Sequence, residues 1–363
     1  MLKQILVTNP SGEWTNLELA NPASSGFIVL DVDGLGPSKS NITIRENTVT
    51  SGGVFNSARM TSRNIVFTLR FLPTAIDEMA KPTIENTRLN TYRYFASESR
   101  IRLDVTTDAG TFYIYGYVES NDPSIFTDSA GAVISVICPD PYFRTMDGIV
   151  TGSIGGIEPE LIFPFHSDTE DPIIFGKKIY PAENFLVPNA GTSNIGPTLF
   201  LYAVGGQVVN PRISFFNEND PLDAEVLAFA FTITPAWITG HHYLLDDKVD
   251  ELGKTWKCIS DHTSTTWNND VLTKWVLFSN TPLVPLDDGD FLVIVCEKTN
   301  KSVYRYVASG INAGKYLNYI GAVTIDSAWP VLRPGNNRYS YSAVSGLDYI
   351  RFGYEFTPQY IGV

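Results

Sequence analysis

The sequence predicts a mainly β protein, and three observations carry that expectation. Short runs alternate apolar and polar residues with the period of a half-buried strand: in 64–72, Ile65, Phe67 and Leu69 fall on one face and Val66, Thr68 and Arg70 on the other. Clusters containing Gly and Pro punctuate these runs as turns. Charged residues make up 18% of the chain and aromatics 12%, so the surface leans on Ser, Thr, Asn and Gly. That composition suits loop-rich sheets better than helices. At 363 residues and 44% hydrophobic content, two or three domains with real cores are expected.

Residues 4–8 read as a strand that ends in the turn Asn9-Pro10-Ser11-Gly12. This N-terminus lacks the apolar core and small-residue cleavage site of a signal peptide. Two strand-like runs, 27–32 and 64–72, then flank a segment punctuated by Gly34, Gly36, Pro37, Gly52 and Gly53. It is long and polar and can scarcely bury itself. The expectation is an exposed arm or β-hairpin that pairs outside its own domain. Residues 82–96 (PTIENTRLNTYRYFA) are the best helix candidate. Pro82 suits the first turn and Glu85 the N-terminal end, with Ile84, Arg88, Tyr92 and Phe95 along one face. Residues 101–107 and 111–119 alternate around Asp108-Ala109-Gly110, a hairpin, and 131–138 is a further strand.

Residues 145–182 are broken by Gly152, Gly155, Gly156, Pro159, Pro164 and Pro172 and read as a linker. Strand patterns resume at 197–203, 208–218, 291–295, 301–307, 338–342 and 348–356, with Pro334-Gly335 as a tight turn. Between them, residues 232–280 differ in composition. They hold Trp237, Trp256, Trp267 and Trp275 together with His241, His242 and His262. Tryptophans can supply the core of so small a module. Trp256 and Trp275 alternate with polar residues and are expected inside. Trp237, Tyr243 and Trp267 are flanked by turn or polar residues and are expected at the surface.

Several strings resemble the distal tail proteins of long, flexible-tailed bacteriophages. They are "DVDGLGPSKSNI" followed by "GGVFNSARMTSRNIVFTLRF", and the strand ending Cys138-Pro139-Asp140-Pro141-Tyr142-Phe143. Downstream, "VPNAGTSNIG" before PTLFLYA and NPRISF resembles the entry to that family's galectin-like sandwich. The order Asp288-Gly289-Asp290, strand, Leu332-Arg333-Pro334-Gly335 and a final "QYIGV" resembles its exit. The resemblance implies an N-terminal β-barrel-like belt domain (1–145) with one helix and a β-hairpin arm. A linker (146–182) and a split galectin-like β-sandwich (183–231 and 281–363) follow. It also implies a homo-hexameric ring at the distal tail tip, with Ile42, Ile44, Val54 and Phe55 in the ring interface. The ring's partners would be the tail tube protein and a tail-associated or receptor-binding protein. The insert (232–280) resembles a family-5/12-type carbohydrate-binding module through Trp237, Tyr243, Asp247, Val249, Gly253, Lys254, Trp256, Lys257, Cys258, His262, Thr263, Ser264 and Trp275. That module's frequent aromatic pair is replaced by Ser260 and Asp261. The resemblance implies binding of a host cell-surface saccharide, for which Trp237, Tyr243, His262 and Trp267 are the candidate residues. Location in the virion, after assembly in the host cytoplasm, follows from the same resemblance.

The formal net charge of −13 provides no basic footprint for sequence-specific nucleic-acid binding and favours solubility. No run is apolar and long enough to insert in a membrane. Cys138, Cys258 and Cys296 have no disulfide or zinc spacing and are expected to be reduced and buried. No nucleophile elbow, phosphate-binding loop or His-Glu-x-x-His is present. His241-His242 would point in opposite directions on a strand, which disfavours a shared metal ion. Asp287-Asp288, and Asp220 with Asp223, read as turn carboxylates. No catalytic residue, metal or cofactor is therefore expected. Two other readings remain open at this stage: a tail-associated polysaccharide-degrading enzyme with a binding module, and a hub whose insert binds another tail protein.

Overall fold

Antiparallel sheets carry the chain in the computed structural model, which describes residues 1–46, 51–73, 82–124, 130–146, 148–154, 156–159, 176–179, 185–231, 234–252, 254–279 and 283–363. Two units result. The first takes Met1–Gly148 together with Gly191–Ser193 and Thr357–Val363, and the second takes the rest.

The first unit is built on β1 (Leu2–Thr8), β2 (Trp14–Glu18), β3 (Phe27–Asp33), β4 (Ser40–Glu46), β5 (Gly53–Met60), β6 (Arg63–Phe71), α1 (Ile84–Tyr94), β7 (Arg100–Thr107), β8 (Gly110–Ser124), β9 (Gly131–Cys138) and β10 (Phe143–Thr145). The main sheet runs in the order β2-β1-β7-β8-β9-β6-β3. Its core follows the alternation read in the sequence: Ile65, Phe67 and Leu69 of β6 are buried with Ile101, Leu103, Ile134 and Val136 of the neighbouring strands. The barrel-like closure expected here is not made by a ladder. β2 and β3 remain the two edges of the sheet, separated in the chain by a 3-10 turn at Pro22–Ser24.

The helix begins one residue after its cap, Thr83, whose hydroxyl accepts from the Asn86 N–H. Its buried face is not the one expected. Thr87 and Thr91 point inward, whereas Ile84 and Tyr92 are exposed and Arg88 bonds to Glu85 and to the Tyr92 hydroxyl. The Thr87 hydroxyl donates to the Leu72 carbonyl and that of Thr91 to the Arg88 carbonyl, so small polar residues are satisfied against the sheet. Phe95, at the C-cap, is the helix's large contribution to the core and packs on Phe67 with centroids 6.0 Å apart. The three cysteines are buried and free, as expected, and burial pushes the Cys138 thiol up to about 12.

The second unit opens inside the expected linker. β11 (Val150–Ile154) and the paired strands β12 (Gly156–Pro159) and β13 (Gly176–Ile179) lie there. Linker residues 147, 155, 160–175 and 180–182 fall outside the described residues. Next come β14 (Phe185–Asn189), β15 (Thr198–Ala203), β16 (Arg212–Asn217) and β17 (Asp220–Ala228). The insert contributes β18 (His242–Tyr243), β19 (Lys248–Glu251), β20 (Lys254–Cys258), β21 (His262–Thr263), α2 (Trp267–Asp270) and β22 (Trp275–Ser279). The chain returns through β23 (Phe291–Glu297), β24 (Asn300–Tyr306), β25 (Tyr316–Asn318), β26 (Gly335–Ser342) and β27 (Ile350–Phe356).

A six-stranded sheet, β11-β27-β15-β23-β24-β25, and a four-stranded one, β14-β26-β16-β17, share one core. Leu199, Leu292, Ile294 and Phe352 of the first meet Ile213, Phe215 and Tyr341 of the second, with the Tyr341 and Phe352 rings stacked at 6.0 Å. This is a β-sandwich. Its strands come from both sides of residues 232–280, which build a separate small core. The last residues leave the sandwich: β28 (Gln359–Tyr360) pairs with β10 in the first unit. The family resemblance places them in the C-terminal sandwich instead.

Candidate functional site

The arm is a free-standing hairpin. β4 and β5 pair only with each other, and nearly all of their residues are exposed. At its root, Gly34 takes φ +87°, and a Cβ there would meet the Asn64 carbonyl oxygen at 2.0 Å, so only glycine fits. Ile42, Ile44, Val54 and Phe55 are 57%, 59%, 61% and 64% exposed. Ile44 stands across the ladder from Phe55, while Val54 stands across from Arg45, with a bulge after Thr43. Four large apolar side chains on a strand pair with no core of its own are a costly exposure for a lone chain.

Arg63, at the start of β6, ties the root of the arm to the body of the unit. It is 2% exposed and has no carboxylate partner among the described residues. Its Nε donates to the Pro141 carbonyl at 2.9 Å, one Nη to the Gly34 and Gly36 carbonyls, and the other to the Ile361 carbonyl at 2.7 Å. The guanidinium also lies over the Phe143 ring at 4.6 Å. Burial pulls its pKa down from the usual arginine value without discharging it. Sequence reasoning missed this residue. The available signal was parity, because Arg63 sits in phase with the inward-facing Ile65, Phe67 and Leu69.

In the insert, the structure brings the aromatic residues together as a connected cluster. Trp267 is its centre, with ring centroids 5.7 Å from Trp237, 5.3 Å from Trp256 and 6.0 Å from Trp275. Trp275 continues to Tyr243 at 5.0 Å and to His262 at 5.5 Å. Tyr243 was expected at the surface but is 4% exposed, and its hydroxyl accepts from the Ile238 N–H at 2.7 Å. A module this small uses its aromatics first to make a core. Trp237, Trp267 and His262 are only partly buried. His262 donates through Nδ1 to the Ser260 carbonyl at 2.9 Å; its Nε2 and the indole N–H of Trp237 are buried without a partner among the described residues. Burial pushes the Cys258 thiol and the Asp250 carboxyl up, the latter opposed by the Thr255 hydroxyl donating at 2.6 Å. Gly253 of the matching string lies outside the described residues.

Of the turn carboxylates, Asp287 meets Arg305 at 3.7 Å and Asp288 accepts from the Gly205 N–H at 2.6 Å. Asp220 and Asp223 both meet Arg333. Asp290 is 1% exposed and binds Arg305, which is 3% exposed. Among the described residues, no group of three His, Cys, Asp or Glu side chains is placed to hold a metal ion, and no helix is long and apolar enough to cross a membrane.

No family model and no curated protein matches the sequence. The fold, however, is similar to that of a solved phage Dit protein. In particular, the chain is similar to the SPP1 Dit (gp 19.1) protein, described as a paradigm of the hub adsorption apparatus in phages that infect Gram-positive bacteria. The TM-score is 0.51 at 10% identity, and the alignment covers 98% of each chain. A chain of the phage P2 baseplate in its activated conformation with Ca aligns over 98% of both chains at 10% identity, but its TM-score of 0.34 carries no weight for the fold.

Proposed function

We propose that this protein is a structural hub of a phage tail tip, located in the virion. Six copies close into a ring through the β4–β5 arm, the ring joins the tail tube protein to a tail-associated or receptor-binding protein, and the insert holds a host-surface saccharide. The observation that carries the ring is the arm itself, whose Ile42, Ile44, Val54 and Phe55 are exposed with no covering partner among the described residues. Cyclic closure is the common way for one chain to cover such a surface. The expected solution mass, by light scattering on a sizing column, is six times the 40.1 kDa chain. The double substitution Ile44→Asp/Phe55→Asp is expected to yield a folded monomer with an unchanged circular dichroism spectrum, since neither side chain joins a core. A wild-type monomer at every concentration, or a double variant that still forms the ring, overturns the arm as the interface.

Saccharide binding rests on Trp237, Trp267 and His262. The two indoles and the imidazole are only partly buried within one cluster, although the His262 Nε2 itself is buried. Apolar sugar faces stack on such rings, and six weak sites on one ring gain strength through avidity. Trp237→Ala is expected to weaken binding of the full chain to cell-wall oligosaccharides about tenfold, the worth of one aromatic contact. An unchanged titration would remove Trp237 from the site. A second reading is favoured by β22, an edge strand whose Val276, Leu277 and Phe278 are all exposed. A strand from another tail protein could extend the sheet there. Loss of tip assembly, with cell adsorption unaltered, on deleting 236–278 would select that reading. Release of saccharide products by the purified protein would instead mark it as an enzyme.

A further inference from the structure

On the first unit, the outer face of β7 and β8 carries a cleft of about 320 Å³ lined by Arg100, Tyr113, Tyr115, Tyr117, Tyr142, Arg144 and the carboxylate of Asp140 among others. The tyrosines alternate along β8 and so emerge on one face, while Ile114, Gly116 and Val118 point inward. Tyr115 and Tyr117 are substantially exposed. Arg100 pairs across the ladder with Tyr117, and its guanidinium carbon lies 4.3 Å from the Tyr115 ring centroid. Arg102 repeats the arrangement one step along, 4.7 Å from Tyr113.

The charges on this face are not equivalent. Arg102 is paired with Asp104 at 2.6 Å, and Arg144 with Asp140 at 3.0 Å. The Arg100 side chain forms neither an ion pair nor a hydrogen bond among the described residues and rests on the Tyr115 ring. Stacking on an aromatic face holds a guanidinium in place and leaves its in-plane N–H edges available, a geometry that suits a carboxylate or phosphate.

We propose that this cleft binds an oxyanion: the carboxylate or phosphate group of a ligand is taken by Arg100, and its body lies against Tyr113, Tyr117 and Tyr142. The site is separate from the insert and from the arm, and it does not depend on the ring or on saccharide binding there.

The test is calorimetric titration of the full chain with inorganic phosphate and, separately, with citrate. At least one is expected to bind, and Arg100→Gln is expected to weaken it about tenfold to a hundredfold, the factor carried by a charge-assisted hydrogen bond. Arg100 is exposed and its loss leaves no buried group unpaired, so the variant folds. Arg212→Gln, at an exposed position of the other unit, controls for bulk charge and is expected to leave the titration unchanged. Binding of phosphate alone assigns a phosphate-bearing ligand, and binding of citrate assigns a carboxylate. Absence of binding by both anions, or equal loss in the two variants, overturns the proposal.

Discussion

Replacing Asp290 with alanine is expected to destabilise the second unit by about 3–5 kcal/mol, the usual cost of leaving one member of a buried ion pair alone. The carboxylate accepts from Arg305 Nε at 2.9 Å and from the backbone N–H groups of Asp287 and Ala308 at 3.0 and 2.8 Å. Arg305 in turn donates to the Tyr319 hydroxyl at 2.6 Å and to the Val284 carbonyl at 3.1 Å. The network therefore fastens the chain where it returns from the insert to the sandwich. Apart from Trp14, the tryptophans all lie in the second unit, so urea unfolding followed by tryptophan fluorescence reads this effect directly. The double variant Asp290→Leu/Arg305→Met is expected to lose less than the sum of the single substitutions, because no charge is left stranded. Additive losses would mean that the two groups do not act as a pair.

Arg63→Met is expected to cost the first unit a similar amount, about 3–5 kcal/mol, because it removes the donors that satisfy four backbone carbonyls at one buried point. The methionine keeps the apolar stem, so the loss belongs to the hydrogen bonds. Arg63→Lys is expected to recover only a small part, since one ammonium group cannot reproduce the planar fork and its stacking on Phe143. Two readouts check this. Far-UV circular dichroism during urea unfolding reports the stability, and limited proteolysis reports the two segments the arginine holds, at 34–36 and after 357. Wild-type behaviour of the lysine variant would show that charge, and not the fork, is what this position requires.

The alternation of Ile65, Phe67 and Leu69, the hairpin around Asp108-Ala109-Gly110 and the sandwich strands β15, β16, β23, β24, β26 and β27 were legible, because strand period and turn chemistry are local, whereas β11, β14, β17 and β25 were not read. The exposed arm was legible for the same reason, since a long polar segment between strands has nothing of its own to bury. Helix existence was also readable, but its face was not. The sequence offered Ile84 and Tyr92 as the natural inward residues, and packing on the sheet chose Thr87 and Thr91, whose hydroxyls find carbonyl partners.

The insert shows the same division. Its aromatic content stood out by composition alone. Which rings face solvent depended on how so few residues could enclose a core, and Tyr243 was drawn inside. Arg63 and Asp290 were each in phase with inward positions, yet a lone charged residue at a strand end gives no hint of its partners. Those partners lie up to 298 residues away, as for Arg63 and Ile361. Local sequence determined the strands, the turns and the existence of the arm. Only the tertiary structure decided which polar groups are buried, because satisfying a buried donor or acceptor depends on chain segments that are distant in sequence.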